Sequence, residues 1–238
     1  MPNPAPNPAP NPAPNPTPQL TPDRAVDLLT RVASADRPTP AELVAAMRTI
    51  ERSHLGEPVR LADLLGTWRL AFVTGTTKTR QRAGKAIGAG RYLAAIPKIT
   101  LAYRSHAFGS DSGGDSGSGS GLGTDPGSEV DRLGRAVNTV AIGALKLTVT
   151  GPIEAIPGKR ILAFDFTRWS VAIGSWVMWR GEIGGGAASD ATFADLPLKQ
   201  RPFFNYFWVS DTAIAARGKG GGLAIWVRVE AEIDETSR

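Results

Sequence analysis

The feature that most constrains this chain is a change of apolar period at Gly66. Upstream, apolar residues recur at helical spacing. Downstream, to Val229, they alternate in short runs separated by glycine and proline turns. Candidate strands are 68–74, 92–96, 100–108, 144–150, 160–167, 170–180, 203–209, 212–216 and 223–229. Many short strands joined by tight turns predict an antiparallel barrel or sandwich. The final stretch is the most strand-like. Phe203, Phe204, Tyr206, Phe207 and Trp208 crowd one run, and Leu223 through Val229 fill another across the Gly218–Gly222 turn.

Ahead of Gly66, Thr21-Pro22 and Thr39-Pro40 each open a helix, with Asp23 and Glu42 in the first turns. Ala25, Leu28, Leu29 and Val32, then Leu43, Val44, Met47 and Ile50, form apolar faces. A short helix or turn follows at 59–65. The expected organisation is therefore a proline-rich tail (1–20), a helical lead-in (21–65) and a barrel (66–233). In the tail every second residue from Pro2 to Pro18 is proline, so it reads as an extended, disordered spacer. Residues 109–128 are rich in Gly, Ser and Asp and read as a disordered loop insertion joining two paired strands.

Charge is one-signed in one place. Between Trp68 and Phe108 lie Arg69, Lys78, Arg80, Arg82, Lys85, Arg91, Lys98 and Arg104, with no acid. Such a stretch attracts an anionic surface, and Arg80, Arg82 and Lys85 are its expected membrane-facing members. The competing reading is a solvated basic face. No run approaches the ~20 apolar residues of a membrane-spanning helix. The N-terminus has neither the basic nor the apolar region of a secretory signal.

Equipment for catalysis is sparse. With no cysteine, thiolate ligands, cysteine nucleophiles and disulfides are excluded. The histidines, His54 and His106, sit at a helix end and beside the insertion, where neither is positioned as a base. No acid or histidine spacing matches a zinc or calcium site. The glycines at 84, 88 and 90 and at 218, 220, 221 and 222 lack the Lys-Ser/Thr ending of a phosphate loop. No catalytic residue, metal or cofactor is therefore assigned.

What remains is apolar surface. Trp68, Leu70 and Phe72 alternate on one run, Leu162, Phe164 and Phe166 on another, and Trp176 with Met178 on a third. Core packing explains such stripes, but a barrel of eight or nine strands has an interior wide enough for one small ligand. On alternation, the expected ligand-contacting residues are Leu70, Phe72, Phe164, Phe166, Trp176, Phe204 and Tyr206.

Gly66-Thr67-Trp68 looks like the Gly-x-Trp signature of lipocalins. The wider pattern resembles the plastid lipid-associated protein (fibrillin) family, in its bacterial, oxygenic-photosynthetic form. It comprises Leu64 through Leu70, Gly88 through Leu93, Thr150-Gly151-Pro152, Leu162 through Phe166, and Phe203 through Gly222. The resemblance spans roughly residues 24–229, and Asp211 through Gly222 is its most specific part. It implies a mainly β, lipocalin-like antiparallel barrel with an N-terminal helical lead-in. It implies non-enzymatic binding of carotenoid, quinone, prenyl or acyl lipid. It also implies peripheral attachment to the cytoplasmic side of a thylakoid membrane or to a lipid globule. In lipocalins the tryptophan closes the barrel floor under a late arginine, so Trp68 and Arg217 are expected to close this one by cation–π contact. A membrane or globule coat protein with a filled barrel shares every motif and stands as the alternative. A nucleic-acid-binding barrel would need exposed aromatics beside the basic run, whereas most aromatics lie in strands C-terminal to it. A lipid-acting enzyme would have to rely on residues such as Asp165 or Asp211.

Overall fold

The computed structural model describes residues 20–53, 57–75, 90–94, 96–105 and 132–229. Helix α1 (Pro22–Thr30) is capped by Thr21, whose side chain accepts from the Arg24 amide, with proline at the first helical position. Helix α2 (Pro40–Ser53) begins with a reciprocal cap. The Glu42 carboxylate accepts from the Thr39 amide at 2.8 Å and from its hydroxyl at 2.7 Å, while Thr39 Oγ1 accepts from the Glu42 amide at 3.4 Å. A four-residue helix, α3 (Leu61–Leu64), leads into the first strand.

Eleven strands follow: β1 (Gly66–Val73), β2 (Arg91–Tyr92), β3 (Lys98–Ser105), β4 (Leu133–Ile142), β5 (Leu145–Ala155), β6 (Ile161–Phe164), β7 (Arg168–Ile173), β8 (Trp176–Glu182), β9 (Phe203–Val209), β10 (Ala213–Gly218) and β11 (Leu223–Arg228). A helix, α4 (Gly186–Thr192), lies between β8 and β9. The wall runs β4-β3-β1-β11-β10-β9-β6-β5, and β5 pairs back onto β4. The result is a closed, eight-stranded, antiparallel, lipocalin-like barrel. Closure leaves the wall without a free edge.

Two apolar cores sit on opposite sides of this wall. Outside it, α1 and α2 bury Leu28, Leu29, Met47 and Ile50 against Phe72, Phe207, Ala215 and Ile225. Inside it, Trp68, Leu101, Tyr103, Ile153, Leu162, Tyr206 and Trp226 meet Leu61 and Leu64 of α3, which plugs one end. Arg217 of β10 ties the lead-in down. Its Nε and Nη2 each donate at 2.5 Å to the Glu51 carboxylate at the end of α2, which also holds the guanidinium pKa up.

The strand assignments from sequence need three amendments. The run 170–180 is two strands, turning at Gly174 with φ +61°. Among the described residues of the run 92–96 only Tyr92 is in a strand: β2 is Arg91 and Tyr92, which pair with Val73 and Phe72. Strand β4 was not expected at all. Its inward residues begin Gly134, Ala136 and Asn138, so it lacks an apolar alternation. Small residues are required there: a Cβ on Gly134 would lie 2.3 Å from the Arg104 carbonyl oxygen. Strands β3 and β4, which flank the insertion, pair over eight residues. The insertion itself, the proline-rich tail up to residue 19, both histidines and Arg80, Arg82 and Lys85 lie outside the described residues.

Candidate functional site: the barrel mouth and its apolar flap

The two ends of the barrel differ. At the floor, Trp68 is fully buried and donates its indole N–H to the Leu64 carbonyl at 2.7 Å. A guanidinium stacks on it, 4.0 Å from the ring centre, but it belongs to Arg228. The expected closure by Arg217 is thus corrected. Barrel closure sets β11 beside β1 and pairs Trp68 with Arg228, whereas Arg217 sits at the far end of β10 and is spent on Glu51. Arg228 also donates to the Leu65 carbonyl at 3.0 Å. Above the floor, the hydroxyls of Tyr103 and Tyr206 meet at 2.7 Å, wholly buried. Burial raises both phenol pKa values, so both stay neutral.

Toward the other end the inner wall is aromatic and only partly buried. Phe164 stacks on Phe204 at 4.8 Å between ring centres, and Phe166 meets Phe164 at 5.4 Å. Trp226 closes edge-on to Phe204 at 5.3 Å, and Leu70 packs in the same cluster. Phe166 reaches this position because β5 carries Gly151. A Cβ there would collide with the Asp165 carbonyl oxygen at 2.2 Å, so glycine lets segment 165–166 lie directly across the strand. Of the residues expected to contact ligand, Leu70, Phe164, Phe166 and Phe204 line this mouth. Tyr206 faces inward too, but deeper, against Tyr103.

Two expected positions are corrected. Phe72 is on the outer face beneath the helices, because β1 carries a bulge: Leu70 pairs with Trp226 and Phe72 with Ile225, leaving Ala71 as an extra residue. One inserted residue moves everything beyond it to the other face. Trp176 is not in the barrel either; it is 77 % exposed at the start of β8.

That exposure reveals an element the sequence did not suggest. Past the barrel, the outer parts of β4 and β5 continue with β7 and β8 as a flap. Register aligns its inner face in rows: Ile142, Leu145, Ile173 and Trp176 at the tip, then Val140, Leu147, Val171 and Trp179, then Asn138, Val149 and Trp169. Residues three apart in a strand normally fall on opposite faces. A bulge at Met178 adds one position and returns Trp179 to the face of Trp176, so the expected pairing of Trp176 with Met178 gives way to Trp176 with Trp179. This face is the same one that β5 presents to the barrel interior through Ile153 and Ala155. The apolar lining of the barrel therefore runs out through the mouth onto the flap.

The outer face of the flap is polar, carrying Lys146, Thr139, Thr148, Ser170, Arg180, Arg168 and Glu182. Helix α4 braces its base. Asp190 accepts from Arg135 at 2.9 Å, Arg168 at 2.8 Å and Thr167 at 2.5 Å. At the inner junction of flap and barrel, Asn138 Oδ1 is buried and makes no hydrogen bond among the described residues. A cleft of about 450 Å³ lies elsewhere, beside the floor, and is lined by Glu57, Asp63, Arg160 and Asp211. It shares nothing with the mouth aromatics. Among the described residues no three of His, Asp and Glu come together as a metal site, and no helix is long and apolar enough to cross a membrane.

No protein-family model, no curated protein and no solved structure matches this chain. Fold and surface alone therefore define its class: a lipocalin-like barrel whose inner apolar lining is exposed at one end.

Proposed function

We propose that this protein binds a lipophilic small molecule at the barrel mouth and catalyses no reaction on it. Carotenoids, quinones and prenyl or acyl lipids are the ligand classes, and a photosynthetic membrane or lipid globule is the setting. The sequence resemblance to the plastid lipid-associated proteins supplies that setting and the ligand range. The observation that carries the reading is the solvent-reachable cluster of Leu70, Phe164, Phe166 and Phe204, continuous with the flap's inner face. Apolar pockets with few polar groups are where such ligands bind. Asn138 offers a polar handle there, an acceptor suited to a ligand hydroxyl.

The alternative is a coat protein with a filled barrel. It is favoured by the ring contacts themselves, since Phe164, Phe166, Phe204 and Trp226 already satisfy one another. An absorption spectrum of gently purified protein, followed by solvent extraction and mass spectrometry, decides between them. The ligand reading expects one pigment or lipid per chain, lost on Phe164→Ala with Phe204→Ala. A clean, colourless protein would leave the coat reading standing.

A further inference from the structure

The tip of the flap exposes more apolar surface than a chain in water normally leaves open. Ile142, Leu145, Ile173 and Trp176 are exposed by 54, 47, 50 and 77 %, and Trp179, Met178 and Val177 by 59, 47 and 60 %. Contiguous patches of this kind mark interaction surfaces. We propose that the tip is a docking device that enters the headgroup zone of an anionic lipid bilayer. The proposal deepens the ligand reading by naming the surface from which a ligand would be drawn.

Three observations select a lipid surface over a protein partner. First, apolar side chains reach the outer face of the tip as well as the inner one, and the polar members of that row are lysines. Opposite the Ile142-to-Trp176 row lie Ala141, Ala172 and Val177, interrupted only by the long side chains of Lys98 and Lys146. A protein partner covers one face of a sheet, whereas lipid surrounds a tip from both sides. Second, polarity returns at a fixed depth. Thr139, Thr148, Ser170 and Arg180 form the next row of the outer face. Two rows and a turn span about 7–10 Å at strand rise, which matches the ~5–10 Å depth of interfacial insertion. Third, the flanking charge has one sign. Lys146 and Arg180 make no ion pair among the described residues, and the acids nearest in the fold, Glu182 and Asp190, lie at the flap's base. A long lysine or arginine can bury its stem and hold its charge among headgroups, and tryptophans favour the same zone.

The geometry also joins the dock to the mouth. Along β5, Leu145, Leu147, Val149, Gly151 and Ile153 form one continuous face from the tip to the barrel interior. A lipid leaving the bilayer along this face would stay on apolar side chains up to Phe166 and Phe164.

The test uses the full chain with vesicles of phosphatidylglycerol and phosphatidylcholine, and with vesicles of phosphatidylcholine alone. Wild type is expected to cosediment with the anionic vesicles. Brominated lipid is expected to quench its tryptophan emission, and the quenching should fall in the Trp176→Phe, Trp179→Phe variant. Trp176→Ser with Trp179→Ser should weaken vesicle partition about tenfold or more, since interfacial affinity scales with buried apolar area. Lys146→Glu with Arg180→Glu should weaken it severalfold at low salt, on anionic vesicles only. All four positions are on exposed strand surface, so unfolding midpoints should match wild type; quenching of the unaltered protein reports on the tip without any variant. Undiminished partition of the double serine variant, or wild-type emission that brominated lipid does not quench, overturns the proposal. So does a dimer that ignores vesicles and falls apart in that variant, which would assign the face to a second copy. Stoichiometric co-purified lipid without vesicle binding would sink the dock and leave the ligand reading intact; vesicle binding without co-purified lipid would do the reverse.

Discussion

The floor and the mouth of this barrel are built from the same inward-facing stripes and treat them in opposite ways. At the floor, α3 covers the apolar residues, and the polar atoms inside the barrel are paired: the Trp68 indole with Leu64, the Tyr103 hydroxyl with Tyr206, Arg228 with Leu65; at its outer edge Arg160 Nη1 is buried without a hydrogen bond among the described residues. At the mouth, the aromatics are partly open, the stripe continues onto an uncovered flap, and Asn138 has an acceptor to spare. Covering apolar surface and pairing polar groups stabilise a fold, while leaving both unfinished keeps affinity for something else. Stability and recognition are thus divided along one barrel axis.

The sharpest test of that division sets one tryptophan against another. Trp68→Ala should cost about 3–5 kcal/mol in denaturant unfolding, because it empties a fully buried site and strands Arg228. Trp176→Ala, at 77 % exposure, should stay within about 0.5 kcal/mol of wild type. A large loss at Trp176 would make the flap part of the structural core and break the comparison.

The tyrosine pair sharpens it further. Tyr103→Phe or Tyr206→Phe alone leaves one buried hydroxyl without its partner and should cost about 1–3 kcal/mol. The double phenylalanine variant should recover much of that loss, giving a clear coupling in a double-mutant cycle. Additive losses would mean that the hydroxyls do not depend on one another.

The smallest effect is expected at the surface, far from either end. Hydrogen bonds from Thr39 hold the Glu42 carboxyl pKa below its ordinary value. A depressed carboxylate contributes stability above the unfolded value, about 4.3, and loses it as pH falls through the folded one. Glu42→Gln should therefore be slightly less stable than wild type near neutrality, and the gap should close in acid. A gap that widens in acid would contradict the cap.

Much of the local structure was legible. Thr21-Pro22 and Thr39-Pro-Ala-Glu42 start helices where those caps indicate, and 203–209 is a strand of that same extent. Leu70, Phe164 and Phe204 reach the barrel interior as alternation suggests, while Phe166, past the end of β6, reaches it by crossing Gly151. Two of the failures share a cause. Phe72 and Trp179 lie beyond bulges, and a bulge leaves no mark in a hydrophobicity pattern while reversing every later side chain. Strand β4 was missed because its inner face must be small where β3 crosses it closely.

Local features can be read from the chain directly: where helices begin, where strands alternate, and that apolar surface outweighs any catalytic equipment. Such signals act through neighbouring residues in the chain. The tertiary structure alone decided which residues share a face, that Arg228 and not Arg217 covers Trp68, and that β4, β5, β7 and β8 leave the barrel as a flap. These depend on register and closure, which bring together residues as distant as Trp68 and Arg228 and are set by how whole strands pair.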